Sequence, residues 1–483
     1  MNKTLPILAA LLLTLSLAAQ DAPKKEKREA FVSHLKQHYR PYGFIRNYFT
    51  FDSRESYAGQ GDLYYFQPKD VLYNQTESEA ATSGVPRQDL NAASTFRFLA
   101  LTTRVGLDIY GYCWRGTEFG GKIEADFYAG LSGTAHKLSG VAQLRLRRAY
   151  LTLAWDSLRI SDKDVARVQL LIGQEWHPMA ADIADVISLN SGAPFGPFNR
   201  SPQVRLDARL GRFFTLTAAG LWQMQYLSTG PEGQSADYIA YSKTPEAYLG
   251  LSFHTPEFLL RAGADLLSIS PRHIGTRVNA TDGLVQVLVS DRLTTVSPFL
   301  YLQYKHGDFS LKAKTILAES GEHMNMNGGY GVSRVLEDGS YEYTPLRSSA
   351  SWLSLVYGGR VGPQEEKHPQ RLDGILFAGY VYNLGTKAPL ATQPDGSLVG
   401  LYAMRGGNMR QMWRLSPTLL YTVGRFQFAL EYEITSVLYG TGSPSASTGL
   451  ASSSASSSAS SSASSGLHWV TNHRLQLMTK FNF

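Results

Sequence analysis

The sequence predicts an all-β chain that closes as a sixteen-stranded antiparallel transmembrane β-barrel. Three observations carry that expectation. The chain ends in RLQLMTKFNF (474–483), where Leu475, Leu477, Thr479, Phe481 and Phe483 share one parity and Arg474, Gln476, Met478, Lys480 and Asn482 the other. A period of two marks a strand with one apolar and one polar face. Aromatic residues reach 12%, with 27 Tyr and 44 Gly, yet beyond the N-terminal region no long apolar run occurs. Strands that are only half apolar produce that composition. The joins between alternating segments are long and short in turn, as in barrels with long external loops and short periplasmic turns.

The elements follow in chain order. Residues 1–19 read as a signal peptide: MNKT is a short basic start, LPILAALLLTLSLAA an apolar run, and cleavage is expected near Ala18 or Ala19. That run is shorter than the roughly 20 apolar residues a membrane-spanning helix needs. Residues 20–40, polar and charged, read as a periplasmic N-terminal extension, and 41–483 as the barrel. The single cysteine, Cys113, excludes an internal disulfide framework.

The first strand is GFIRNYFTFDS (43–53), with Ile45, Phe49 and Phe51 on one face and Arg46, Tyr48, Thr50 and Asp52 on the other. In LALTTRVGLDIY (99–110), Leu99, Leu101, Thr103, Val105, Leu107 and Ile109 are expected to face lipid, and Thr102, Arg104, Asp108 and Tyr110 the bore. GKIEADFYAG (121–130) sets Ile123, Ala125 and Phe127 against Lys122, Glu124, Asp126 and Tyr128. VAQLRLRRAYLTLAW (141–155) alternates to Arg147 and breaks at Arg148. RVQLLIGQ (167–174) follows, and QVRLDARL (203–210) returns to strict alternation, with Arg205, Asp207 and Arg209 on the polar face. Ten more alternating segments complete the sixteen. They start at Phe213, Glu246, Glu257, Val296, Asp308, Ser349, Leu372, Met412, Arg425 and Leu467. The joins after odd-numbered strands fall at 54–94, 131–139, 176–201, 228–244, 271–294, 321–348, 385–409 and 441–466, all long except 131–139; those after even-numbered strands are mostly tight, as at 211–212, 255–256 and 307–308. Within 441–466, ASSSASSSASSSASS (451–465) is a Ser/Ala repeat with too little apolar surface to fold, read as a mobile external loop.

Inward parity collects cations. Arg46, Arg104, Asp108, Lys122, Arg145, Arg147, Arg205, Asp207 and Arg209 are the expected pore-lining side chains. Arginine stays charged and presents a fork matched to carboxylate and phosphate. Charge on the lipid face would cost about 2–4 kcal/mol at mid-membrane, which makes the parity informative. The third long loop, 176–201, is rich in Gly, Pro and Asn. Folded into the bore as a constriction, it would bring Glu175, Trp176, His177, Asp182, Asp185 and Arg200 to the narrows, with acids opposite an arginine wall. The net charge of +6 points to anionic solutes and away from nucleic acid.

The stretches FRFLALTTRVGLDI, LRLRRAYLTL and LLIGQEWHP…GPFNRSPQVRL resemble the DcaP-like porins, over roughly residues 95–210. Family members have an "SR-x-G" strand, a "GQ-x-W" strand end and an "R-x-PQ-x-R" start to the next strand. On this resemblance Arg104, Gln174, Trp176, Arg200, Gln203 and Arg205 carry over. The resemblance, and that to general trimeric porins, implies a homotrimer in the outer membrane, in contact with its lipid and lipopolysaccharide, that lets small hydrophilic solutes, often dicarboxylic anions, diffuse passively. DcaP-like porins often carry a long N-terminal coiled coil, for which residues 20–40 leave little room. No G-x-S-x-G, H-E-x-x-H, C-x-x-C or P-loop occurs, so no enzyme activity, cofactor or metal is expected. The competing expectation is a non-conducting barrel whose surface loops bind a glycan or protein partner, with Tyr64, Tyr65, Tyr330, Tyr341 and Tyr343 stacking on sugars.

Overall fold

The computed structural model describes residues 37–59, 64–100, 102–129, 142–156, 158–160, 163–165, 167–279, 283–362, 368–404, 408–441, 443–451 and 466–483. The signal peptide, most of the N-terminal extension, the join at 131–139 and nearly all of the Ser/Ala repeat lie outside the described residues.

Sixteen antiparallel staves form one closed sheet. The first four are β1 (Tyr39–Asp52), β2 (Thr95–Leu99 continued by Arg104–Trp114), β3 (Thr117–Ala129) and β4 (Ala142–Trp155). Next come β5 (Val168–Trp176), β6 (Arg200–Leu210), β7 (Phe214–Leu221) and β8 (Glu246–His254). Then follow β9 (Phe258–Ile269), β10 (Leu293–His306), β11 (Phe309–Glu319) and β12 (Tyr341–Arg360). The last are β13 (Gln370–Thr386), β14 (Met409–Val423), β15 (Phe426–Gly440) and β16 (Leu467–Asn482). Each pairs with its neighbour, and β1 closes on β16 from Phe44 opposite Asn482 to Asp52 opposite Arg474. Closure leaves no free edge, so the wall strands pair their amides with one another rather than with water.

The burial pattern is that of a soluble protein turned inside out. Along β16, Arg474 and Gln476 are 2% and 5% exposed, while Leu475 and Leu477 between them are 45% and 48% exposed. The same inversion holds on β1, where Thr50 and Asp52 are buried and Ile45, Phe49 and Phe51 exposed. The leucine faces meet acyl chains and the polar faces meet the bore.

The strands depart from the expected pattern at four places. The first strand begins at Tyr39, inside the stretch expected as extension. Stave β2 is interrupted between Leu99 and Arg104, and its two parts pair with different stretches of β1. The interruption shifts parity by one. Phe96, Phe98 and Val105 are exposed, and Leu99, expected to face lipid, is buried inside. On β4 the break at Arg148 is a bulge: Glu124 pairs with Arg148 and Ala125 with Leu146, so Arg147 is the extra residue. The bulge directs two consecutive arginines inward. The segment starting at Phe213 leaves the wall at Leu221.

The bore is not an open tube. An apolar core including Met179, Phe195, Leu221, Tyr248, Phe299, Met324, Trp352 and Phe377 fills one side of it. The third loop supplies Met179 and Phe195, the sixth supplies Met324, and β7 to β15 supply most of the rest.

Candidate functional site: an arginine-walled constriction

The third loop, residues 177–199, is held against the far wall from the inside. Phe195 packs edge-on to Phe377 of β13 at 5.9 Å between centroids. Close approach requires glycine at two places: a Cβ on Gly379 would meet the Phe195 ring at 2.4 Å, and one on Gly196 would meet Trp352 Nε1 at 2.6 Å. Polar ties run the length of the loop. The Ile187 amide donates to Glu431 at 3.0 Å, the Asn190 side-chain amide to Glu433 at 3.3 Å, and Arg414 to the Ala193 carbonyl at 3.1 Å. One tie reaches the near wall, from the Tyr48 hydroxyl on β1 to the Ile187 carbonyl at 2.7 Å.

This docking decides where the loop's acids point. Asp182 accepts from Arg261 of β9 at 2.5 Å and lies 3.8 Å from Lys314 of β11. Asp185 accepts from Lys312 at 2.7 Å. Both are neutralised on the far wall, so the expected rim of acids facing the arginines does not form. The Glu175 carboxylate, on β5, accepts from Arg148 at 2.5 Å. The loop instead presents Ile183, Val186, Ile187, Ser188, Leu189 and Ser191 to the open side.

Opposite that face lies a cavity of about 230 Å³ walled by Arg46, Thr102, Arg104, Asp126, Arg145, Arg147 and Trp176. Among the described residues, four guanidinium groups thus share the space with one carboxylate. Asp126 accepts from Arg145 through Nε and Nη2, both at 2.9 Å, and from Arg147 at 2.5 Å. Glu124 accepts from Arg147 at 2.9 Å and lies 3.5 Å from Arg104. Arg46 donates to the Thr102 hydroxyl at 3.0 Å and lies over the Phe44 and Tyr48 rings. Among the described residues, two acids therefore serve four arginines, and that balance is positive. Lys480 adds to it from β16, 4.6 Å from the Phe44 ring centroid. Arg200, the first residue of β6, is 1% exposed, and its guanidinium lies 4.8 Å from the Trp176 ring centroid.

Of the sequence-expected residues, Arg46, Arg104, Arg145 and Arg147 meet at the cavity, with Trp176 on its edge and Arg200 against Trp176. The others lie elsewhere. Asp108 and Lys122 pair at 2.5 Å near the short turn, together with Arg40. Arg205 pairs with Asp207 at 2.9 Å on its own strand, and Arg209 is exposed near the turn at 211–213. His177 is wholly buried against Glu246. Sequence reading missed Arg261, Lys312 and Lys314, the cations that draw the loop's acids to the far wall. Their signal was present, since all three sit at inward positions of alternating segments. Tyr64, Tyr65 and Tyr330, expected at the surface, are 4%, 5% and 0% exposed. The first loop also folds inward: the Arg97 guanidinium lies over Tyr65, and Asn190 donates to the Tyr65 carbonyl.

No protein-family model matches the chain, and no curated protein matches it. Among solved structures it is similar to the outer membrane channel DcaP of Acinetobacter baumannii, with 17% identity over 92% of this chain and 97% of that one and a TM-score of 0.55. It is more loosely similar to the anion-selective porin from Comamonas acidovorans, with 9% identity over 92% and 99% and a TM-score of 0.44. OprB of Pseudomonas putida shows 9% identity over 94% and 96%, also with a TM-score of 0.44. The first likeness shows the fold, a closed antiparallel β-barrel like that of DcaP; the other two add nothing to it.

Proposed function

We propose that this barrel is a passive diffusion pore of the outer membrane that favours small anions, carboxylates among them, and performs no covalent chemistry. The observation that carries the reading is the set of four guanidinium groups, Arg46, Arg104, Arg145 and Arg147, around the cavity that the third loop leaves beside β1 to β4. A positive surface in a confined, low-dielectric bore concentrates anions and repels cations. The loop face opposite is apolar or hydroxylic, so it offers an entering anion no competing carboxylate. Arginine forks would take a carboxylate in two-point contact and pass it on, because Glu124 and Asp126 keep the guanidinium groups partly engaged. Diffusion needs this balance between attraction and release.

The same reading includes cleavage of residues 1–19 as a signal peptide and assembly as a homotrimer, supported by the resemblance to DcaP-like porins. The burial of Tyr64, Tyr65 and Tyr330 counts against a glycan-binding barrel. Reconstitution of the purified protein into planar lipid bilayers tests the proposal. Discrete conductance steps are expected, blocked in part by millimolar dicarboxylate on either side. A barrel that inserts and stays electrically silent would refute it.

A further inference from the structure

At the root of the third loop, away from the arginine cavity, four ionisable side chains meet in the protein interior. His177 opens the loop, Glu246 opens β8, Asp265 lies on β9, and His323 sits in the turn Gly321–Met324 of the sixth loop. All are at most 1% exposed. His177 Nε2 is 2.7 Å from Glu246 Oε1 and 3.4 Å from Asp265 Oδ1. His323 Nε2 is 3.3 Å from the same Glu246 oxygen and 3.8 Å from Asp265 Oδ2.

The hydrogen bonds around the rings fix their protons. The Met179 amide donates to His177 Nδ1 at 3.1 Å, so that nitrogen bears no proton and His177 is neutral, with its single N–H at Nε2 directed to Glu246. His323 Nδ1 lies 3.1 Å from the Ser320 carbonyl, to which it must donate. That leaves His323 Nε2 facing two carboxylates. Among the described residues, Glu246 Oε2, Asp265 Oδ1 and His323 Nε2 have no hydrogen-bond partner.

The charges do not balance. Among the described residues, the ion-pair partners of Glu246 and Asp265 are these two imidazoles, and only His323 can be cationic. Two buried negative charges thus face at most one positive charge, and buried uncompensated charge is costly. We propose that this cage binds one divalent transition-metal ion of the zinc type, held by His323 Nε2 and the Glu246 and Asp265 carboxylates, with the His177 Nε2–H orienting Glu246. A 2+ ion cancels both carboxylates. The donor separations of 3.3 and 3.8 Å are close to the ~3.3 Å edge of a tetrahedron with metal–ligand bonds of about 2.0–2.1 Å. His323 donating Nδ1–H to a backbone carbonyl is the usual second contact of a ligating imidazole. A nitrogen donor favours zinc-like ions over magnesium or calcium, which take oxygen shells. The ion would pin the constriction loop to the sixth loop and to the wall.

Metal analysis of the full-length protein in detergent tests this, together with Zn²⁺ titration after refolding in chelator. The expected result is about one zinc-type ion per chain, and a thermal transition of the refolded protein that rises with Zn²⁺ and not with Mg²⁺. His323→Gln should abolish binding; His177→Gln should keep the stoichiometry and weaken affinity about 10–100-fold. A wild-type protein with neither bound metal nor a Zn²⁺-specific shift overturns the proposal. So does His323→Gln retaining a full equivalent. If that variant fails to fold, the wild-type titration alone decides.

Discussion

Replacing Arg46 removes one positive charge from the cavity wall without stranding an acid, because its guanidinium bonds the Thr102 hydroxyl rather than a carboxylate. A space of about 230 Å³ is equivalent to a sphere about 4 Å in radius, which puts the charge about 6 Å from its centre. At that distance and a water-like dielectric, a unit charge is worth about 0.7 kcal/mol. Screening at about 0.1 M salt roughly halves this. An anion loses that amount and a cation gains it, so Arg46→Gln shifts their relative barrier by about 0.7 kcal/mol, or about threefold in permeability ratio. Arg46→Glu doubles the change to about 1.4 kcal/mol, or about tenfold. Reversal potentials of wild type and both variants across a bilayer in a KCl gradient give the ratios directly. An Arg46→Glu channel that conducts normally with the wild-type ratio would refute the placement of the selective charge.

Other perturbations follow from the same geometry. Arg205→Glu with Arg209→Glu should alter the ratio less than Arg46→Glu, since Arg205 already pairs with Asp207 and Arg209 lies near the turn; an equal or larger effect in reversal potential would move the filter toward that end. Gly379→Ala pushes a methyl into Phe195 and should destabilise the barrel by about 1–3 kcal/mol, read from its heat-dependent electrophoretic shift. Phe195→Ala should cost about 3–5 kcal/mol and expose the third loop to protease; a loop that stays resistant would show that its polar ties suffice. Leu477→Arg places a charge against lipid and should cost about 2–4 kcal/mol of folding stability in vesicles, whereas a neutral outcome would turn that face of β16 inward.

The wall was legible because its rule is local. A period of two fixes which side chains face lipid, and even the bulge at Arg147 announced itself as two adjacent arginines in an alternating run. The slip in β2 was hidden, since LALTTRVGL alternates smoothly across the interruption and only pairing with β1 exposes it. The destination of the third loop was legible only in part. Its Gly and Pro content and its length marked it as a built feature, but the contacts that aim it join residues far apart, such as Ile187 and Glu431, 244 positions away. Hence the acids were expected to face the arginines, whereas Arg261, Lys312 and Lys314 hold them on the opposite wall. The cage around Glu246 was likewise invisible, because His177 and Glu246 lie 69 positions apart and no motif spacing joins them.

The claim on which the account rests is that the third loop leaves a passage bounded by the guanidinium groups of Arg46, Arg104, Arg145 and Arg147. The sign of the zero-current potential of the wild-type channel in a tenfold KCl gradient tests it most directly. Chloride should carry more of the current than potassium, moving the potential toward the chloride equilibrium value. A potential displaced toward the potassium value, from a correctly folded barrel, would contradict it.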